Sequence, residues 1–202
     1  MTRESVRAPQ QDRSRDKLER IYAAAVTLLI EGGWDAITVG EVERRSKVSR
    51  STFYLRFPNR DALIDYTRQR LLQEVAEAEA GTFEQARSAH PATLDAAVRA
   101  AVDALAAVCR TYGPVMLRMD NPQEPGMTDK AMNTLSTRFR SVIEPVLPTE
   151  ATRERVEFAI ELVFASLVGK MRPQQPFTAH ARRTWDTYLD QLSRATVRYL
   201  TG

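Results

Sequence analysis

Residues that carry enzyme chemistry are scarce in this sequence. Its 202 residues include one cysteine and two histidines, and neither His90 nor His180 has a second ligand at metal-binding spacing. No glycine-rich phosphate loop and no arrangement of His, Cys and acidic residues typical of catalysis is found. Asp186 and Asp190 share a helical face, but the arginines around them indicate a solvated ion-pair face. We therefore expect no enzyme activity, no metal and no cofactor.

Long apolar runs are also missing. No segment approaches the roughly 20 apolar residues of a membrane-spanning helix, and residues 1–17 lack the apolar core of a signal peptide. A single thiol cannot form an internal disulfide framework. These features predict a cytoplasmic protein with no membrane partner. Cys109 lies in an apolar helical pattern, which favours a small buried side chain, and a redox sensor is the alternative.

Charge is abundant and unevenly distributed. The chain is 43% hydrophobic and 27% charged, which is typical of a globular protein with a sizeable core. Residues 1–60 hold 12 basic and 8 acidic residues, whereas the remainder holds 17 and 18. This positive N-terminal third is what a nucleic-acid-binding region would require, and a solvated basic face is the alternative.

The spacing of apolar residues predicts an all-α fold of about nine helices, and no segment alternates for long enough to be a strand. Residues 1–12 lack periodicity and are predicted to be a flexible tail. Glycine and proline residues separate the helical segments. The first helix is predicted to end at Gly32–Gly33, and the others to span about 39–45, 50–55, 60–80, 93–111, 114–119, 128–146, 151–170 and 178–200.

Two short helices joined by a tight turn follow the first helix, a pattern typical of a helix-turn-helix. Thr38 and Glu41 fit a capping box at the start of the first short helix. Ser49 is the expected N-cap of the second. Phe53 and Phe57 are four residues apart, so both can dock on the first helix while the other side chains face outward.

The outward residues of the second short helix have the chemistry of a DNA-reading surface. Arginine can bond guanine O6 and N7 together, and hydroxyl groups bond bases or phosphates. No acidic residue occurs between Glu43 and Asp61, which an ordinary solvated helix would not explain. The side chains predicted to face DNA are Ser49, Arg50, Ser51, Thr52 and Tyr54.

Two helix starts offer further phosphate contacts. Arg60 lies in the first turn of a helix, where the macrodipole disfavours a cation. A phosphate bound there would reverse the penalty, because it would meet both the helix N-terminus and the guanidinium. Thr38 offers the same contact at another helix start, with N-capping as its alternative role.

The run from Ile21 to Leu63 resembles the tetracycline-repressor-like (TetR) family of regulators. The matching residues are Ile21, Ala24, Ala25, Leu29, Gly33, Ile37, Thr38, Val39, Val42, Val48, Ser49, Thr52, Phe53, Tyr54, Phe57, Arg60, Asp61, Ala62 and Leu63. The rest of the chain resembles the family in helix number and length. The resemblance implies a helix-turn-helix DNA-binding domain over residues 13–58 and an effector-binding and dimerisation domain over residues 59–202.

The same resemblance assigns roles at the DNA. Thr38 would contact a phosphate, and Arg50, Ser51 and Thr52 would face the major groove. Tyr54 matches the phosphate-binding tyrosine of the family.

Three further positions differ from the usual family residue. Arg60 stands where the family usually has lysine, and it would keep the phosphate role. Lys47 occupies a turn position that is usually glycine, so a left-handed backbone there would cost about 1 kcal/mol. A phosphate contact by Lys47 would offset that cost, and tolerated strain is the alternative. Arg56 replaces a frequent histidine and adds a cation.

The C-terminal part predicts an interface and a ligand region. Residues 159–169 are apolar nearly all round, which indicates a helix buried on two sides. The resemblance implies a homodimer through the last two helices, and a core helix without dimerisation is the alternative. Methionine and phenylalanine side chains suit an apolar ligand, although core packing is the alternative for each. The pocket candidates are Met116, Met132, Phe139 and Phe164.

Together these features predict a sequence-specific DNA-binding transcriptional regulator. The resemblance implies a repressor that a small apolar or amphipathic effector releases from double-stranded operator DNA. One alternative is a non-specific or architectural DNA-binding protein without an inducer. Another is a helical protein-interaction module without DNA binding.

Overall fold

A computed structural model describes residues 10–119, 125–171 and 184–202, with side chains described at 14–119, 132–171 and 184–202. These residues form eight α-helices and two short 3-10 helices, and they contain no strand. The predicted all-α fold is therefore confirmed. The α-helices are α1 (Gln10–Gly32), α2 (Val39–Ser46), α3 (Arg50–Tyr54), α4 (Arg60–Ser88), α5 (Leu94–Met119), α6 (Pro125–Ile143), α7 (Arg153–Met171) and α8 (Trp185–Thr201), and the 3-10 helices are Trp34–Ala36 and Glu144–Val146.

Several helix ends differ from the predicted ones. α1 begins at Gln10, inside the stretch predicted to be a tail, and residues 1–9 lie outside the described residues. α4 continues past residue 80 to Ser88. The predicted start of the last helix, near residue 178, also lies outside the described residues. α8 begins at Trp185, after Thr184 accepts the N-capping hydrogen bond.

The predicted break at Gly113–Pro114 is wrong, because α5 runs through it as one helix. A proline inside a helix removes one backbone hydrogen bond and crowds the preceding turn. Pro114 itself is exposed, and Gly113 and Val115 on either side of it are buried. A Cβ atom on residue 113 would overlap the sulfur of Met171, so this glycine leaves room for the Met171 side chain rather than ending a helix.

The chain divides into two compact units, and the division falls after Leu72, inside α4. In the first unit α1 packs against α2 and the first 3-10 helix, and α2 packs against α3. The apolar spacing in α1 places its side chains on one inward face, as predicted. Buried residues of this unit include Ile21, Ala25, Leu28, Leu29, Ile37, Val42, Val48, Phe53, Phe57 and Leu63.

The second unit is built around α5, which packs against α6, α7 and α8. Cys109 of α5 is buried, as predicted, and burial raises the pKa of its thiol to about 12, with a smaller contribution from the charge of Glu79. A thiol of this kind is almost wholly protonated near neutral pH, which argues against a redox sensor.

Within the described residues, α5 is the one helix long and apolar enough to cross a membrane by length and composition, with a mean hydropathy of 1.2 over an 18-residue window. Half of that window is buried inside the protein, and a buried core helix passes the same criterion.

Candidate DNA-binding surface

The turn between α2 and α3 has the geometry of a helix-turn-helix. Lys47 ends α2 in the left-handed conformation, with φ 57° and ψ 29°. Its backbone N–H donates to the carbonyl of Glu43 at 3.1 Å. The N–H of Val48 then donates to Ser46 Oγ at 3.2 Å. The lysine thus takes the backbone conformation for which glycine is favoured, and the expected strain of about 1 kcal/mol applies.

Hydroxyl groups cluster at the start of α3. Ser49 Oγ accepts the N–H of Thr52 at 3.4 Å, so the predicted N-cap is confirmed. The same oxygen donates to Thr52 Oγ1 at 3.0 Å and lies 3.1 Å from Ser51 Oγ. Ser49 and Ser51 are exposed and Thr52 is half-buried. The cluster therefore offers several donors and acceptors beside the helix N-terminus.

Aromatic packing decides which face of α3 is exposed. Phe53 is 1% exposed, and its ring centroid lies 5.6 Å from that of Phe57 and 5.4 Å from that of Tyr54. Phe57 in turn lies 5.4 Å from Tyr66 of α4. On the outer side, Tyr54 is 51% exposed and Leu55 is 83% exposed. Phe53 and Phe57 are thus both buried, and the ring of Phe57 contacts Tyr66 of α4.

Arg50, the first residue of α3, pairs with Glu43, a residue for which no role is predicted from the sequence. Its backbone N–H donates to Glu43 Oε1 at 3.1 Å, and its Nε lies 3.4 Å from Glu43 Oε2. Seven residues separate the two across the turn, a spacing for which no helical rule predicts contact. Glu43 stood out in the sequence only as the last acidic residue before Asp61, and that signal does not predict a contact with Arg50.

The guanidinium of Arg60 connects the start of α4 to the segment before α2 through hydrogen bonds. Its Nε donates to the carbonyl of Ile37 at 2.7 Å, and its Nη2 donates to the carbonyl of Trp34 at 2.8 Å. The side chain remains 37% exposed. Two of its donors therefore stabilise the fold, and its phosphate contact stays a prediction that relies on the exposed part.

Thr38 is the N-cap of α2, and its Oγ1 accepts the N–H of Glu41 at 3.2 Å. The second hydrogen bond of the predicted capping box, from the N–H of Thr38 to the carboxylate of Glu41, is replaced by other contacts. The N–H of Thr38 donates to the carbonyl of Ala36 at 3.0 Å, and the carboxylate of Glu41 pairs with Arg44 at 2.7 Å. That hydrogen bond from Arg44 lowers the pKa of Glu41. The exposed hydroxyl of Thr38 caps its helix and remains accessible.

The cationic side chains around the turn differ in whether they are already paired within the protein. Arg20 donates from Nε to the carbonyl of Ser46 at 2.7 Å, at the negative end of the α2 dipole. Arg45 pairs with Glu31 at 2.6 Å. The ammonium group of Lys47 is exposed, and no described residue forms an ion pair or hydrogen bond with it. Lys47 is thus a free positive charge beside the exposed face of α3.

The four pocket candidates lie in the second unit and share no single environment. Phe139 is 0% exposed, and its ring centroid lies 6.2 Å from that of Phe83. Met132 and Phe164 are partly buried and pack against the same core. Met116 is half-buried and is not part of that cluster. The structure thus brings three of the four to one apolar core.

Residues 21–67 match the model of a protein family described as bacterial regulatory proteins, tetR family. This stretch of the chain is therefore similar to the DNA-binding region of TetR-family regulators. The match covers α2, α3 and parts of α1 and α4, so the matched region is the part of the chain that holds the exposed α3 surface.

A short stretch of the chain is also similar to the uncharacterized HTH-type transcriptional regulator YdeS of Bacillus subtilis (strain 168), with 46% identity over 44 residues. The alignment spans 22% of this chain and 22% of YdeS.

Solved structures share the fold over nearly the whole chain. A TetR-like transcriptional regulator from Rhodococcus sp. RHA1 has a TM-score of 0.63 and 16% identity, and it covers 97% of this chain and 100% of its own. Salmonella enterica GusR has a TM-score of 0.56 and 18% identity, and it covers 98% of this chain and 100% of its own. At these identities the similarity establishes the fold.

Proposed function

We propose that the protein is a sequence-specific DNA-binding transcriptional regulator that acts in the cytoplasm as a homodimer. The observation that carries this proposal is the face of α3, where exposed hydroxyl groups and Arg50 stand opposite the buried anchor Phe53. In a helix-turn-helix, the N-terminal residues of the second helix reach base edges in the major groove. Hydroxyl and guanidinium groups are suitable donors and acceptors for those edges.

The proposed DNA contacts fall into two groups. Arg50, Ser51 and Thr52 would face the bases. The remaining candidates would bind phosphates and set the position of the helix on the duplex, and they are Thr38, Lys47, Ser49, Tyr54 and Arg60.

Exposed apolar side chains on α7 and α8 support a homodimer through the last two helices. Phe158 is 51% exposed, and Leu162 and Tyr199 are each 39% exposed. The rings of Phe158 and Tyr199 lie 5.5 Å apart, so they form one patch across the two helices. Contiguous exposed apolar surface is typical of an interaction site.

Regulation by a ligand is the finer part of the proposal. A repressor would leave its operator when a small apolar or amphipathic molecule occupied the core around Met132, Phe139 and Phe164. The apolar, partly buried character of these side chains supports such a ligand. Met116 would contribute from outside that cluster.

The test is selection of duplexes from a random pool with purified protein, followed by titration at several salt concentrations. We expect a two-fold-symmetric site whose half-sites lie about one helical turn apart, roughly 34–36 Å, and affinity that falls steeply with salt. Salt-dependent binding without a preferred sequence would instead indicate an architectural protein. No binding at low salt would indicate an interaction module.

Substitution of Arg50 tests the assignment of the reading helix. We expect Arg50→Ala to weaken specific binding by about 1–3 kcal/mol and to reduce discrimination at one base pair. Arg87→Ala is the matched control, since it removes the same charge from an exposed ion pair with Glu84 in the second unit. Wild-type discrimination in the Arg50 variant would show that another element reads the bases.

A further inference from the structure

We propose that Glu43 is a specificity-determining positioning residue, which holds Arg50 in the orientation that reads a base. This inference rests on the proposed DNA-binding function and names a residue outside the predicted contact set. Glu43 lies on α2 and Arg50 begins α3, so the interaction spans the turn of the helix-turn-helix.

The carboxylate of Glu43 binds Arg50 at two places. One oxygen, Oε1, accepts the backbone N–H at 3.1 Å. The other oxygen, Oε2, lies 3.4 Å from Nε of the guanidinium. The first N–H groups of a helix have no partner inside the helix. Glu43 therefore caps the first N–H of α3 and at the same time pairs with its first side chain.

This geometry leaves the outer edge of the guanidinium available. The closest approach of the two charged groups is at Nε, and no described residue accepts a hydrogen bond from either terminal nitrogen of Arg50. The Arg50 side chain is 61% exposed. Guanine presents O6 and N7 as a pair of acceptors that two arginine N–H groups can bind simultaneously. An arginine held before binding also loses less rotational freedom when the base is bound.

The charge of Glu43 also disfavours the competing phosphate contact. A phosphate near Arg50 would meet a carboxylate that is 38% exposed and already paired with that arginine. Repulsion between the carboxylate and the phosphate therefore weakens those DNA complexes in which Arg50 mainly contacts a phosphate. A base edge carries no net charge, so it escapes most of this repulsion. Glu43 therefore lowers non-specific affinity more than specific affinity.

The first variant is Glu43→Gln, which can still accept the backbone N–H but carries no charge. The probes are the duplex selected by the wild-type protein, the same duplex changed at the base pair that Arg50 reads, and a random duplex. We expect affinity for the last two to rise about 3- to 10-fold and affinity for the selected duplex to rise less. The ratio of specific to non-specific affinity falls accordingly.

The second variant, Glu43→Asp, separates position from charge. Aspartate keeps the negative charge, but its shorter side chain cannot reach both groups of Arg50. We expect the affinity ratio to fall in this variant as well. A wild-type ratio in Glu43→Asp would show that charge acts alone and would overturn the positioning role.

Glu41→Gln is the matched control, because Glu41 lies on the same helix and pairs with Arg44 instead. Its loss should raise affinity for all three duplexes alike and leave the ratio unchanged. In an Arg50→Ala background, Glu43→Gln should no longer change the ratio, because the residue it positions is gone. Additive effects in that double variant would contradict the proposal.

A measurement without DNA distinguishes failure of this inference from failure of the proposed function. Proton exchange at Nε of Arg50, followed by NMR in the free protein, should be faster in Glu43→Gln than in the wild type. Equal exchange rates would overturn the pairing whatever the protein binds. If exchange is slower in the wild type than in Glu43→Gln but the protein binds no DNA selectively, the pairing is retained. The reading role of Arg50 and the proposed function are then both rejected.

Discussion

Lys47 combines backbone strain with an unpaired charge at the scale of a single residue. Its left-handed backbone costs a residue with a Cβ about 1 kcal/mol more than glycine. Its ammonium group has no ion-pair partner among the described residues. If this ammonium group contacts a phosphate, the strained lysine has a function in DNA binding. If it makes no such contact, the strain is only tolerated.

Two substitutions of Lys47 separate these explanations. Lys47→Gly removes the strain and the charge, so we expect a gain of about 0.5–1 kcal/mol in the free energy of unfolding and a shallower salt dependence of DNA binding. Lys47→Ala removes the charge and keeps the Cβ, so it should change the salt slope without this gain. The measurements are thermal unfolding and salt-dependent titration. Unchanged salt slopes in both variants would leave tolerated strain as the explanation.

At the scale of helices, an ion pair joins α1 to α4 within the first unit. Arg70 of α4 donates two hydrogen bonds to Glu19 of α1, at 2.9 and 2.6 Å. Its guanidinium also lies 3.9 Å from the ring centroid of Tyr22. The hydrogen bond from Arg70 is the largest cause of the lowered pKa of Glu19. This arrangement links α1 to the N-terminal part of α4 within the first unit.

The lowered pKa predicts an acid-sensitive contribution to stability. A carboxyl group whose folded pKa lies below its unfolded value stabilises the protein above the unfolded value, here 4.5, and loses this effect as pH falls through the folded pKa. We expect Glu19→Gln to lower the free energy of unfolding at pH 7 by less than about 1 kcal/mol, because the pair is partly solvated. Its stability should then fall less than that of the wild type below pH 4.5.

Thermal unfolding as a function of pH measures this difference. Glu150→Gln is a suitable control, because Glu150 is an exposed side chain outside the helices. Parallel pH profiles for the wild type and Glu19→Gln would show that the ion pair contributes nothing measurable.

The sequence predicts elements well where local rules decide them. The faces of α3 follow from the spacing of Phe53 and Phe57, and the N-caps follow from Thr38 and Ser49. It fails where a distant contact decides. Pro114 lies inside α5 because tertiary packing outweighs its local preference.

The chemistry of the site is likewise predicted in part. Arg50 and Arg60 have the expected residue type and lie at the expected helix starts. Apart from its sequence neighbour Asp61, Arg60 pairs with the carboxylate of Asp35 and donates to the carbonyls of Ile37 and Trp34. Arg50 pairs with the carboxylate of Glu43 across a turn. These pairings depend on three-dimensional proximity across turns, which apolar periodicity does not report.

For the whole molecule, the exposed patch on α7 and α8 is the feature with the largest consequence. Val163 and Leu167 of α7 are fully buried within the protomer, whereas Phe158 and Leu162 are substantially exposed. α7 therefore has two apolar faces. One packs in the core of the protomer, and the other is exposed. Phe164 belongs to the core side, since it packs against the buried cluster.

Phe158→Arg tests the interface without disturbing the protomer core. An arginine at this half-exposed position remains solvated in a monomer, whereas at the proposed interface its charge would be taken out of water in both protomers. We expect sedimentation to show monomers at concentrations where the wild type is dimeric. Ile30→Arg is the matched control, since Ile30 is 40% exposed but lies on α1 in the first unit. A dimeric Phe158 variant would place the interface elsewhere.

The burial of Cys109 makes the chain its own reporter of opening motions. It is the sole cysteine in the sequence, so an alkylating reagent can mark the protein through one thiol alone. That thiol is 2% exposed, and its pKa of about 12 keeps it unreactive while α5 stays packed. The labelling rate of the unmodified protein therefore measures how often the second unit opens. A ligand that stabilises the closed core would slow the labelling, and a ligand that opens the core would accelerate it.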